Sequence, residues 1–237
     1  MFSYLIKIKE ITLDILFPRV CLNCEKSLSG GNGLVCNACF SLIKINSAFF
    51  CPVCRGRLPN MEKTCHPKSR FFLAPAGEYG DPILQKIIQS FKYQGIKGLA
   101  PVLGEFLIKY LNSLNPQYSI LNSIIIPIPL HKSRERQRGF NQAKLMAEFV
   151  AGHFNLSLVE SLERIKKTEP QAKMKSKEER LKNISGCFKV VNPDSVKEKN
   201  VVLIDDVFTT GDTINEAVKI LKENGAKKII ALVAARA

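Results

Sequence analysis

Three observations predict an α/β fold, with helices on both faces of a mainly parallel sheet and a small cysteine-rich zinc module ahead of it. Apolar runs of strand length alternate with helical patterns through the later part of the chain, as parallel sheets require. Seven of the eight cysteines crowd between Cys21 and Cys65. The run VVLIDDVFTTGDT at 201–213 joins four apolar residues, two carboxylates and a loop of small residues. A length of 237 residues suits a medium domain with a small attachment, placed at 71–237 and 1–70.

Composition narrows the class. With 46% hydrophobic and 24% charged residues, the chain reads as soluble and globular with a real core. No uninterrupted apolar run approaches the roughly 20 residues that span a bilayer. The first twenty residues are apolar but interrupted by Lys7, Lys9, Glu10 and Asp14, and they show neither a signal-peptide core nor a cleavage site. Leu5, Ile8, Ile11 (or Thr12) and Ile15 share a face, which predicts a short amphipathic helix packed on its own protein or lying on a membrane surface. Thirty-five Lys and Arg against twenty-one Asp and Glu leave a net charge of +14. Such an excess attracts nucleic acid, acidic membrane or phosphorylated small molecules, without choosing among them.

The cysteines come in pairs. Cys21 and Cys24, then Cys36 and Cys39, form two Cys-x2-Cys turns, and four thiolates close a tetrahedral structural zinc site. A disulfide framework would need an oxidising compartment, for which there is no export signal. A third pair, Cys51 and Cys54, is followed by Cys65 and His66. These four offer a weaker second zinc site, because adjacent Cys and His rarely serve one ion comfortably; the alternative is a segment folded without metal. The ribbon is either a docking surface for nucleic acid or protein, or a staple for a segment too small to form a core. Cys187 stands alone and reads as a small buried residue.

The remaining elements follow in order. Residues 71–78 read as extended. Asp81 and Pro82 open a helix by cap and first-turn logic, carrying Ile83, Leu84, Ile87, Ile88 and Phe91 until Tyr93-Gln94-Gly95 breaks it. A second amphipathic helix covers about 99–112. A buried strand is expected at 123–128 and a helix at about 141–154, then a polar stretch at 164–183 and a strand at 188–191. The strand at 201–204 leads to Asp205 and Asp206. Thr209, Thr210, Gly211 and Thr213 make the loop, and from Thr213 a helix places Ile214, Ala217, Val218 and Leu221 on one face until Gly225. The last strand covers 228–234.

That loop can turn its amides inward while the helix adds its positive end and hydroxyls complete a phosphate cradle. The two acids before it suit sugar hydroxyls or a hydrated Mg²⁺. In open α/β sheets ligands collect at the carboxyl ends of strands, so the loop after the 123–128 strand should face the same cleft. It carries four cations against one acid between His131 and Arg138, a charge suited to diphosphate.

The 201–213 run closely resembles the phosphoribosyl-diphosphate (PRPP) loop of type I phosphoribosyltransferases. The resemblance implies that Asp205 and Asp206 hold the ribose hydroxyls, and that Thr209, Thr210, Gly211, Asp212 and Thr213 wrap the 5′-phosphate. Asp212 departs from the usual small or neutral residue, so its amide is expected to face phosphate and its side chain water. By the same resemblance Leu130, His131 and Lys132 bind diphosphate, with Mg²⁺ accompanying PRPP. The polar segment around 166–183 corresponds to a mobile lid, its bland alternative being an exposed charged helix.

A narrower resemblance covers nearly the whole chain. The Cys-rich head, Phe91-Lys92-Tyr93-Gln94-Gly95, Pro127-Ile128-Pro129-Leu130, Arg138-Gly139-Phe140-Asn141-Gln142, Thr168-x-Pro170-Gln171, Arg180-x2-Asn183 and the Asp205-Asp206 loop resemble the ComF family. Relatives often carry a fourth cysteine pair, and here Lys68 stands where its last cysteine would be. The resemblance implies a cytoplasmic PRPP-binding protein, at the inner face of the membrane or free of it. It would act in DNA uptake or use of external DNA, with single-stranded DNA and other uptake proteins as partners. Nucleobase salvage, or PRPP sensing without turnover, are the alternative functions.

Overall fold

The computed structural model describes residues 19–28, 33–59, 64–114, 120–168 and 176–237. The amphipathic helix expected before residue 18, most of the turn at 29–33 and the stretch 169–175 lie outside the described residues. The elements are α1 (Asn37–Leu42), β1 (Phe72–Glu78), α2 (Pro82–Tyr93), α3 (Ala100–Ser113), β2 (Ser123–Pro127), α4 (Lys132–Arg138), α5 (Gln142–Phe154), β3 (Leu162–Arg164), α6 (Lys177–Ile184), β4 (Phe188–Val190), β5 (Asn200–Phe208), α7 (Asp212–Glu223) and β6 (Ile229–Arg236).

Four strands form one sheet in the order β1-β6-β5-β2, and every pairing in it is parallel. Period-2 alternation divides its apolar residues between two cores. Ala74, Ile125, Val202, Ile204, Ile230 and Leu232 face a core shared with α2, α3 and α5. Leu73, Ile126, Val201, Leu203, Ala231 and Val233 face another, shared with α7 and the β3–β4 pair. Strands buried on both sides explain the unbroken apolar runs in the sequence.

Several boundaries differ from the sequence reading. β5 continues through both acids, because Asp205, Val207 and Phe208 still pair with β6. α7 begins at Asp212 rather than Thr213. The polar stretch begins on the last residue of β3, which pairs antiparallel with β4, and ends in α6, beyond the undescribed residues. The loop after β2 contains a short helix, α4.

The cysteine-rich head is continuous with the sheet. Phe50 pairs with Leu73 of β1 through reciprocal backbone bonds of 2.8 and 3.0 Å, which covers the outer edge of that strand. Asn46 N–H donates to Ala76 at 2.8 Å. The fully buried Tyr110 of α3 donates its hydroxyl to the Ala48 carbonyl at 2.7 Å, tying helix to head. Tyr110→Phe should leave that carbonyl unpaired at a cost of about 1–2 kcal/mol. A thermal midpoint lower by several degrees is expected, ~2–4 °C per kcal/mol at this size; an unchanged midpoint would show that the bond contributes nothing.

Candidate PRPP cleft and zinc ribbon

The carboxyl ends of β1, β2, β5 and β6 open onto a cleft of about 310 Å³. Asp205, Asp206, Thr209, Gly211, Asp212 and Thr213 line it from the β5 side, and Leu130 from the β2 side. Its other charges are Lys92, Arg134, Arg138 and Arg164, so four cations face the acids across the opening. Lys92, Tyr93, Arg134 and Arg138 also line an adjoining groove of about 510 Å³.

Consecutive strand residues point to opposite faces, so Asp205 and Asp206 meet different neighbours. Asp206 is 7% exposed and accepts a 2.8 Å ion pair from Lys92 Nζ at the end of α2. Burial alone would depress the Lys92 ammonium, but Asp206 outweighs it and its pKa is raised. Asp205 accepts from the Asp206 N–H at 2.9 Å. Burial first, and then the charge of Asp206, push the Asp205 carboxyl up to about 7, while Lys92 and Arg164 work in the other direction. Arg164 is itself 7% exposed and donates to Thr168 Oγ1. In the sequence Lys92 stands out only as part of a motif and Arg164 carries no signal at all; charge spacing along the chain cannot reveal a pairing 114 residues apart.

The loop after β5 is shaped for close approach. Gly211 has φ +84°, and a Cβ there would lie 2.6 Å from the Phe208 ring, so a side chain is excluded on both counts. Gly211 caps α7 without any side-chain hydrogen bond. Side chains cap α1 (Cys36), α2 (Asp81), α4 (His131) and α5 (Asn141), whereas α3, like α7, starts without such a cap. Gly211, Asp212 and Thr213 bring the start of α7 to the cleft. Asp212 corrects an expectation: its side chain is buried, 6% exposed, and accepts from Thr210 Oγ1 at 2.6 Å instead of facing water. Thr209 and Thr210 are exposed and Thr213 is half-buried.

The residues around 130–132 divide. Leu130 lines the cleft. His131 caps α4, its Nδ1 accepting from the Ser133 N–H at 3.2 Å. Lys132 is 79% exposed at its side chain and pairs with Glu163 at 3.6 Å. Arg134 and Arg138, one and two turns further along α4, are the side chains that α4 sends into the cleft.

The head contains two similar turns. Cys21 N–H donates to the Lys26 carbonyl and Glu25 N–H to that of Cys21; Cys51 donates to Gly56 and Arg55 to Cys51, all at 2.8–2.9 Å. Glu25 and Arg55, each directly after the second cysteine, both adopt positive φ, 60° and 61°. Cys21, Cys24, Cys36 and Cys39 bring their sulfurs within 4.8 Å of one another, and so do the donor atoms of Cys51, Cys54, Cys65 and His66. His66 reaches its set despite being directly next to Cys65, with Nδ1 3.5 Å from Cys51 Sγ. Burial opposes ionisation of Cys21, but N–H groups of Cys24, Cys36 and Asn23 bring it down to about 6. On Cys39 the Asn23 amide favours the thiolate, yet burial and the other three sulfurs push it up to about 11. Packed sulfurs, four in the first set and three beside an imidazole in the second, cannot all ionise unless a cation offsets their charge, so the donor chemistry of both sets fits structural zinc. Elemental analysis of purified protein should find about two zinc ions per chain. Cys24→Ser with Cys36→Ser should remove one of them, and Cys54→Ser with Cys65→Ser the other; a single zinc in the unaltered chain would mean one set folds without metal.

Comparison with known proteins agrees with both halves. Residues 12–70 match the double zinc ribbon domain and residues 141–237 the phosphoribosyl transferase domain. Competence protein ComFC of Bacillus subtilis is 30% identical over 223 residues, covering 92% of this chain and 85% of the relative. Competence protein F of Haemophilus influenzae is 29% identical over 217 residues, 88% of this chain and 93% of its own. DNA utilization protein YhgH of Escherichia coli K12 is 26% identical over 219 residues, 90% and 94% of the two chains. With likeness at this level extending through head, sheet and cleft alike, the chain belongs to the ComF family, phosphoribosyltransferase-like proteins that carry an N-terminal zinc ribbon.

Proposed function

We propose that this chain binds PRPP in the cleft and acts in the uptake or use of external DNA, transferring phosphoribosyl from PRPP to an acceptor. One observation carries the PRPP reading: an acid pair and an uncapped helix start share one opening with four cations. Asp205 and Asp206 suit the ribose hydroxyls, which donate hydrogen bonds that a carboxylate accepts. Asp206 commits Oδ1 to Lys92, which leaves Oδ2 for a sugar hydroxyl. The 5′-phosphate fits the amides of residues 209–213. The diphosphate is assigned to the backbone at Leu130, His131 and Lys132, with Arg134 and Arg138 as facing cations. Mg²⁺ bound with PRPP would neutralise part of the diphosphate charge. In transfer, the bond from C1 to the acceptor forms as the bond from C1 to diphosphate oxygen breaks. The fixed cations stabilise the departing charge.

The DNA half rests on the names of the competence and DNA utilization relatives and on a basic face. Two grooves of about 570 and 550 Å³ run along α7 and share Arg70. Lys68, Lys182, Lys219, Lys222 and Lys228 add positive charge, against Asp212, Glu216 and Glu223. No described helix is long and apolar enough to cross a membrane, and the proposed place of action is the cytoplasm or the inner face of the membrane. Nucleobase salvage would use the same cleft; diphosphate release with one free base would favour it.

PRPP titrated calorimetrically with Mg²⁺ should bind the unaltered chain. Asp205→Asn with Asp206→Asn should weaken it about 100-fold without unfolding, as two charge-assisted bonds are lost. Because the Asp205 carboxyl sits near 7 when folded, ribose binding should tighten from pH 6 to pH 8. Stability should run the other way. A carboxyl raised above its usual 3.8 holds a proton that the unfolded chain has lost, so its contribution fades as pH rises through 7. Affinity that is flat with pH would remove Asp205 from the site, and affinity kept by the double variant would remove both acids.

Single-stranded DNA should bind at low salt and weaken steeply between 50 and 200 mM salt, roughly as expected for phosphate contacts. Arg70→Glu with Lys219→Glu should weaken it further. No binding at the lower salt would reject direct DNA contact.

A further inference from the structure

The two cysteine turns of the head share a backbone shape but differ in the residue after the second cysteine. Beyond Cys24 stands Glu25, which is exposed. Beyond Cys54 stands Arg55, whose guanidinium crosses to the other half of the molecule. Its Nη2 donates to the Thr209 carbonyl at 2.7 Å, and its Nη1 donates to the Ala237 carbonyl. Thr209 opens the loop between β5 and α7, so the second turn touches the segment assigned to the 5′-phosphate.

The attachment is braced from both sides. Arg236 Nη1 donates back to the Arg55 carbonyl at 3.1 Å. The Arg236 guanidinium also lies 3.7 Å over the ring of Phe50, the residue before Cys51, and its Nε binds Glu78 at 2.8 and 3.0 Å. Ala237 N–H in turn donates to Phe208 at 2.9 Å, one residue before Thr209. The second turn, the ends of β5 and β6 and the loop therefore form one closed circuit of contacts. The first cysteine set stands apart from it: beside it Phe40 of α1 packs edge-on against Phe106 of α3, and Lys109 lies over the same ring.

We propose that Arg55 is a positioning residue for the 209–213 loop, through which metal held by Cys51, Cys54, Cys65 and His66 is coupled to ligand binding in the cleft. The proposal rests on the reading of that loop as the phosphate site. Its physical basis is the φ of +61° at Arg55, a left-handed conformation kept by the turn between Cys51 and Cys54. If the four donors separate, that turn loses its constraint and the guanidinium loses its aim. The Thr209 carbonyl is then released, and the amides beyond it are no longer held ready. Lysine cannot substitute fully, because one ammonium lacks the planar fork that spans two carbonyls. Coupling is reciprocal, so a ligand on the loop must also protect the metal of the second set.

The test uses the full zinc-loaded chain in four forms: unaltered, Arg55→Ala, Arg55→Lys and Glu25→Ala. PRPP with Mg²⁺ is titrated calorimetrically, and zinc release to a coloured chelator is timed with and without PRPP. Arg55→Ala should bind PRPP about three- to tenfold more weakly, a modest loss because the bond is partly exposed. Arg55→Lys should fall between, and Glu25→Ala should match the unaltered chain. PRPP should slow release of one of the two zinc ions from the unaltered chain and of neither from Arg55→Ala. Equal PRPP affinity in all four forms, or protection that survives Arg55→Ala, would overturn the coupling while leaving the PRPP reading intact. If the unaltered chain fails to bind PRPP, the reading of the cleft fails, and this proposal with it. Should Arg55→Ala not fold, Arg55→Lys and the protection of the unaltered chain still decide.

Discussion

Two adjacent carboxylates at the end of a buried strand are the constraint around which the cleft is organised. Desolvating one carboxylate costs several kcal/mol unless charge or hydrogen bonds compensate, and two in succession also repel each other. The strand lessens the repulsion by alternation, sending Asp205 and Asp206 to opposite faces. Their compensation differs. Lys92 pairs directly with Asp206 from α2, while Asp205 feels Lys92 and, more weakly, Arg164 on β3 only from a distance. Compensation is unequal, so Asp205 keeps its proton far above the usual carboxylate range while Asp206 stands in a direct ion pair. The two acids of one short run are chemically different groups.

This asymmetry places demands on the fold. Lys92 can reach Asp206 only if α2 ends over the β5 tip, and Arg164 only if β3 and β4 pack against the other face. The two cores serve those positions: α2 belongs to the core on one side of the sheet, and the β3–β4 pair to that on the other. The head contributes by completing the sheet. Phe50 pairs with the open edge of β1, and Tyr110 ties α3 to Ala48, so β1 is held on a flank that a parallel edge strand would otherwise expose. A zinc ribbon in this position is part of the wall of the sheet, not an appendage on a tether.

Much of this is legible from residues because the signals are local. The buried strand, acid pair, glycine loop and amphipathic helix of 201–221 occupy one continuous run, and the cysteine pairs announce themselves by spacing. The parts that are not legible are contacts between distant segments. A strand propensity read over 201–204 stops at the acids because carboxylates are poor strand formers. Pairing with β6 carries β5 on to Phe208 all the same, since tertiary context outweighs propensity. β3 is three residues long and exists only through β4, which gives no periodicity to read. For Asp212, the general rule for acids near phosphate points to water. A hydroxyl two residues earlier satisfies it inside the protein, a local side-chain bond that sequence spacing permits but does not require.

The chemistry of the cleft depends on which groups already have partners. Asp81, His131 and Asn141 each spend a side chain on capping a helix, and Lys132 lies against Glu163. α3 and α7 both start without a side-chain cap, and of the two it is α7 that opens at the mouth of a cleft lined by cations. A neutral or cationic ligand would add nothing to balance the positive charge that Arg134 and Arg138 bring to the opening. A simple polyanion would meet Asp205 and Asp206 head-on. A ligand that is anionic at two ends and carries hydroxyls between them would suit all three regions together, which is the ground for the activated sugar phosphate proposed above over either simpler class.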